Sequence, residues 1–128
     1  MESGDVDHSL RHFQLLQETQ SQIEILNNQI AKINKHISTQ KIKSKRAETG
    51  IEVLNYTRED QKVYKQVSRL LILRDKVELK NEFEREKEDS LADLPKLEGV
   101  KNQLVAKLGG LNAQFVELSR QIREAQSV

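Results

Sequence analysis

The chain has no cysteine, no tryptophan and one proline, and its aromatic residues are limited to three Phe and two Tyr among 128 residues. Without cysteine there is no disulfide framework, no thiolate zinc site and no cysteine nucleophile. That absence also suits a reducing compartment. No apolar run approaches the ~20 residues that a membrane span requires, so no membrane partner is expected. The start Met1-Glu2-Ser3-Gly4-Asp5 lacks the basic and apolar regions of a secretory signal. A soluble, cytoplasmic chain is the expectation. Neither sign of charge dominates: 21 Lys and Arg face 20 Asp and Glu, for a formal net charge of +1. No general nucleic-acid binding follows from such a balance.

What is present is charge and spacing. Only 36% of residues are hydrophobic and 32% are charged, too few apolar side chains for a thick core. They suffice for a narrow seam between helices, in which two positions in seven are apolar. Disorder is the competing reading of such a composition, and the regular spacing argues against it. Leu16, Ile23, Ile30 and Ile37 stand seven apart, with Leu26 and Ile33 at the second seam position. Thr19 and Gln40 are polar members of the same set, and Ala47, Ile51 and Leu54 continue it beyond Ser44. This predicts a first long helix over about residues 9–54, behind a frayed polar tail at 1–8.

A second period runs Phe83, Lys87, Ser90, Leu94, Leu97, Lys101, Leu104, Leu108, Leu111, Phe115, Leu118, Ile122, Ala125. It predicts a helix over about 76–125, with Asp75 as N-cap and Glu78 three residues on. Pro95 lies inside it and predicts a kink or short break near 93–95. Gly109-Gly110 predicts local softness, at a cost of roughly 2 kcal/mol against Ala. Either feature could serve as a hinge.

Between the helices lies the one stretch that reads as strand, about residues 62–74. Val63, Tyr64 and Val67 favour β structure, then Ser68-Arg69 precedes the run Leu70-Leu71-Ile72-Leu73. Alternation puts Val63, Lys65 and Val67 on one face and Tyr64 and Gln66 on the other. The second strand is apolar on both: Leu70 and Ile72 on one face, Leu71 and Leu73 on the other. Such a strand needs cover on both sides, and two strands alone are marginal in water. The chain offers no third strand, so other subunits are expected to cover the hairpin. The assembly residues are then Val63, Tyr64, Val67, Leu70, Leu71, Ile72 and Leu73. The fold class is mainly α: two long helices in an antiparallel coiled coil joined by a single β-hairpin. Helices of about 46 and 50 residues, roughly 70 and 75 Å long, would place both chain termini together at a tip. Leu10, Phe13, Leu16, Phe115, Leu118 and Ile122 are the apolar residues there, with Leu15 beside them. Frayed ends of this kind could hold non-native chains.

Chemistry finds little support. Asp5, Asp7, His8 and His12 read as a solvated helix start rather than a metal site. Lys41-Ile42-Lys43-Ser44-Lys45-Arg46 could be a nucleic-acid or nuclear-import patch. No aromatic residue interleaves with its cations, and it reads instead as a solvated helix face. There is no Gly-rich phosphate loop, no H-E-x-x-H and no Ser-centred elbow. A two-helix rod offers no concave pocket. No enzyme, cofactor or metal is expected.

Helix, single hairpin, helix, with a hairpin reading Val63-Tyr64-Lys65-Gln66-Val67-Ser68-Arg69-Leu70-Leu71-Ile72-Leu73 followed by Asp75-Lys76, resembles a β-class prefoldin subunit. Arg69 and the Leu71-Ile72-Leu73 run are similar in particular to the eukaryotic branch of that class. Ser68 stands where the family usually has Gly in the turn, and Leu71 where an aromatic is frequent. The resemblance implies a hetero-hexamer of two α-class and four β-class subunits whose hairpins form a β-barrel platform. Unfolded actin- and tubulin-like client proteins would be held at the coiled-coil tips, through residues 6–16 and 115–128. They would then pass to the cytosolic chaperonin without ATP. The alternative is a structural coiled-coil scaffold or tether in another complex, including a prefoldin-like assembly. It predicts partner binding without suppression of client aggregation.

Overall fold

The structure is a computed structural model that describes residues 2–126. Four elements follow in order: α1 (Glu2–Tyr56), β1 (Val63–Val67), β2 (Leu70–Arg74) and α2 (Lys76–Gln126). The helix α1 thus begins within the stretch expected to fray. Gly4 within it subtracts only about 1 kcal/mol. Nor is there a break at residues 93–95, because α2 is continuous through Pro95. The Pro95 ring is exposed, so it leaves the seam undisturbed and the helix forgoes one backbone hydrogen bond there.

Contacts divide the chain into two compact units, residues 1–34 with 99–128 and residues 35–98. In the chain-end unit the seam follows the heptads. From α1, Thr19 and Leu26 are buried and Leu16, Ile23, Ile30 and Ile33 half-buried. From α2, Leu118 is buried and Leu104, Leu108, Leu111, Phe115 and Ile122 half-buried. The segments run antiparallel: Leu10 and Phe13 share a groove with Ile122, and Leu26 shares one with Leu111. Thr19 is tolerated in the seam because its hydroxyl donates to the Leu15 carbonyl at 2.7 Å. Ala125 closes the heptad series on paper and is exposed in fact.

In the hairpin unit Ile37, Gln40, Ser44, Ala47 and Leu54 of α1 are buried, with Leu79 and Ser90 of α2. Small and polar side chains therefore take several of the closest positions. Gly50 shows why. A Cβ there would lie 2.8 Å from the Phe83 ring, so the missing side chain makes room for that ring against α1.

The hairpin is joined to the helices by defined contacts. Thr57 ends α1, with its hydroxyl donating to the Leu54 carbonyl at 2.7 Å. The Arg58 N–H donates to Gln61 Oε1 at 2.9 Å and the Gln61 N–H to the Arg58 carbonyl at 3.1 Å, which closes the connecting turn. Asp75 stands at the N-cap of α2, and its carbonyl accepts from the Leu79 N–H at 2.9 Å. Lys76 Nζ reaches back to the Thr57 carbonyl at 2.8 Å, tying the start of α2 to the end of α1.

The strands pair antiparallel, from Val63 opposite Arg74 to Val67 opposite Leu70. Ser68 and Arg69 form the two-residue loop. Ser68 takes φ 56° and is the only non-glycine residue with positive φ among the described residues. Positive φ at the first loop position alone is the type II′ pattern, which favours Gly there.

Candidate functional site

The register sorts the hairpin side chains into two faces. Val63, Lys65, Val67, Leu70, Ile72 and Arg74 share one, and Tyr64, Gln66, Leu71 and Leu73 the other. The first face is fastened to α2 through a single carboxylate. Glu82 accepts a short hydrogen bond from Lys65 of β1 and pairs with the Arg74 guanidinium of β2 at 2.9 Å. The Lys65 ammonium hydrogen bond, with the charges of Lys65 and Arg74 behind it, holds the Glu82 carboxyl below its ordinary value, against a desolvation that opposes the shift. Val63, Lys65 and Arg74 are accordingly half-buried.

Cover stops there. Leu70 is 67% exposed and Leu71 68%. Tyr64, Val67, Ile72 and Leu73 are also exposed. The sheet has only these two strands, so both edges are open. In a hairpin closed by a two-residue loop, Tyr64 and Gln66 on β1 and Leu71 and Leu73 on β2 direct their backbone N–H and C=O groups outward. The assembly residues read from the sequence thus lie together on one small sheet, with free edges and an uncovered apolar face. An apolar groove lies against β1, lined by Gly50, Val53, Leu79 and Phe83 together with Val63 and Tyr64.

The second set of predicted residues lies in the chain-end unit. Leu10 and Phe13 are exposed, at 56% and 50%. With His12, Ile122 and Ala125 they line a shallow groove of about 440 Å³. Leu16, Phe115 and Leu118 belong instead to the closed seam, Leu118 at 8% exposure. Ion pairs in this unit surround Arg120, whose guanidinium meets Glu117 at 2.6 Å and Glu124 at 2.5 Å. Residues 127 and 128, part of the segment expected to hold clients, lie outside the described residues. The His8 and His12 rings are 6.5 Å apart. Among the described residues no group of three His, Asp or Glu side chains is placed to hold a metal. Among them, too, no helix is long and apolar enough to cross a membrane.

Two features escaped the sequence. Glu82 was one acid among many on α2, and its role depends on which hairpin face turns inward. Gly50 carries no mark in the heptad spacing. The signal in both cases was there in pairs: a Gly and a Phe at seam level on opposite helices, and an acid of α2 meeting one cation from each strand.

The sequence pattern of prefoldin subunits matches residues 17–118, which takes in most of both helices and the whole hairpin. The chain belongs to the prefoldin subunit family. Among solved structures it is similar to the prefoldin beta subunit of Thermococcus strain KS-1. The identity is 23% and the TM-score 0.67, over 79% of this chain and 89% of the archaeal one. The prefoldin beta2 subunit of the same strain is similar at 18% identity and TM-score 0.62, over 70% of this chain and 96% of that one. Those likenesses show the fold: two long helices with a two-stranded antiparallel hairpin between them, as in prefoldin beta. No curated protein sequence matches the chain. Within the prefoldin fold, the uncovered hairpin and the Leu10–Phe13–Ile122 groove are two surfaces on which burial is left incomplete.

Proposed function

We propose that this chain is a β-class subunit of a hetero-hexameric prefoldin, closest to eukaryotic prefoldin subunit 1, acting in the cytoplasm as a non-enzymatic co-chaperone. The observation that carries this reading is the hairpin. Leu70, Leu71 and Leu73 are all more than half exposed on a two-stranded sheet with open edges. A surface of that kind is an aggregation hazard unless partner strands complete it. The α-class and other β-class subunits are the partners that fit. Val63, Tyr64, Val67 and the run from Leu70 to Leu73 carry the contact.

Client binding belongs to the other surface. Exposed Leu10 and Phe13 beside Ile122 offer an apolar groove without a charged wall. Such a groove suits unfolded or nascent chains of many sequences, actin- and tubulin-like proteins among them. Leu16, Phe115 and Leu118 support it from within the seam. The family membership supports delivery to the cytosolic chaperonin without ATP. The test is a tagged pull-down followed by native mass measurement and an aggregation assay. Six small hairpin-bearing subunits in one complex, slowing aggregation of a denatured client with no nucleotide added, is the expected result. A stable complex that leaves aggregation untouched would move the function to a scaffold or tether.

A further inference from the structure

Between Glu24 and Glu48 the sequence has no Asp or Glu, while Lys32, Lys35, Lys41, Lys43, Lys45 and Arg46 fall within it. Of this run only Arg46 borders the hairpin groove, and the chain-end groove uses none of it. Within the hairpin unit its residues are sorted by the helix period. Lys35, Ile42 and Tyr56 fall at heptad-equivalent positions on the side of α1 away from the seam, with Lys45 beside them, whereas Arg46, Thr49 and Val53 edge the groove against β1. Ile42 is 53% exposed, Val53 57% and Tyr56 89%. None of these cations makes an ion pair among the described residues. Lys43 and Arg46 line a groove opposite Glu86, Asp89 and Asp93 of α2 without pairing to them, and those acids limit the surface on that side.

We infer that the outward side of α1 from Lys35 to Tyr56 is a docking surface for an acidic amphipathic helix of a partner protein. Charge complementarity selects the acid and the heptad spacing of Ile42 and Tyr56 selects the apolar stripe. A solvated face alone would account for the lysines but leaves Ile42 and Tyr56 unexplained at matching positions. A phosphate backbone would likewise use the cations and gain nothing from Ile42. Tyr and Arg are also the residue types that most often anchor protein interfaces. Glu48 and Glu52 end the basic run, so the surface has a direction. The partner's carboxylates lie along residues 35–46, and its less acidic end lies by Val53 and Tyr56. This inference stands independently of the chaperone reading.

The test uses the full chain and a labelled helical peptide of leucine and glutamate at heptad spacing, beside the same peptide with lysine for glutamate. Fluorescence anisotropy should show binding of the glutamate peptide alone, weakening with added salt. K45E/R46E should weaken it about tenfold or more, and I42S severalfold. Circular dichroism checks that both variants keep their helix content, and K45Q/R46Q serves should the reversal unfold the chain. L71D should leave binding unchanged, which separates this surface from the hairpin. Binding indifferent to K45E/R46E and K45Q/R46Q, or lost with L71D, overturns the inference. So does an oligonucleotide of equal charge that binds more tightly than the peptide and ignores I42S.

Discussion

The two units leave apolar surface exposed in opposite ways. In the hairpin unit the exposed strands are held in place by specific polar contacts: Glu82 with Lys65 and Arg74, Lys76 with the Thr57 carbonyl, and the Asp75 carbonyl at the start of α2. In the chain-end unit the polar contacts run along a helix instead of across the seam. Thr19 bonds the Leu15 carbonyl within α1, and Arg120 pairs with Glu117 and Glu124 within α2. Exposed pairs of that kind contribute little. A rigidly presented apolar surface suits a permanent partner of fixed shape. A loosely held one suits many partners in turn. The difference teaches that equal exposure can rest on different anchoring, cross-element ion pairs beneath the hairpin and contacts within single helices at the chain ends.

The largest effect expected from breaking this contrast is at the hairpin. L71D/I72D places two charges on a surface that needs an apolar cover, and burying an unpaired carboxylate costs far more than one new hydrogen bond can offset. Assembly should be lost while helix content by circular dichroism stays as in the parent chain. A hexamer that survives the change would show that the hairpin is not the platform. G50A comes next. Its Cβ would meet the Phe83 ring at 2.8 Å, and overpacking of this kind costs about 1–3 kcal/mol. Urea unfolding should show the loss. A second variant, G50A/F83L, should recover part of it, since a smaller side chain relieves the same clash.

How far this was legible beforehand differs between the units for a physical reason. Heptad spacing reports which side of a helix is inward, so the seam from Leu16 to Leu54 and from Phe83 to Ile122 could be read directly. The alternation in Tyr64-Lys65-Gln66 and the run ending at Leu73 likewise defined the two hairpin faces. Spacing does not report how closely the helices approach, so the Gly50–Phe83 contact was invisible. It does not report which of many acids meets two cations, so Glu82 was unmarked. Nor does a proline's identity say which side it faces. Pro95 suggested a break, and on the exposed side of a continuous α2 it leaves the seam undisturbed. At the chain ends, composition identified the apolar residues Leu10 and Phe13. It could not tell them from Leu118, which the seam closes over.

The glycine pair sharpens the comparison from the other side. A Cβ on Gly109 or Gly110 meets nothing within 4 Å, so each can become Ala at no steric cost. The gain is about 1 kcal/mol per site from helix propensity. G109A/G110A should raise the melting temperature without changing the assembly. If the looseness of the chain-end unit matters for holding varied clients, the same variant should slow aggregation less well than the parent chain. Equal suppression would show that the glycines are tolerated irregularity.

The smallest effect concerns the clamp itself. Glu82 titrates below its ordinary value because the Lys65 hydrogen bond and the two neighbouring cations favour the carboxylate. A group whose folded value is depressed stabilises the fold above its unfolded value, and that contribution fades as the pH falls through the folded one. The clamp should therefore be intact at neutral pH and weaken only once the pH drops below about 4.5, the ordinary value for glutamate. E82Q keeps the shape and removes the charge. Because the carboxylate is partly exposed, it should lower stability by about 1 kcal/mol or less at pH 7. It should flatten the acid limb of the stability curve, with the parent and variant converging at low pH. Parallel curves for the two proteins through that range would mean that the hairpin rests on α2 through its apolar contacts alone. The contrast between an anchored and an unanchored surface would then have to rest on Lys76 and the helix caps.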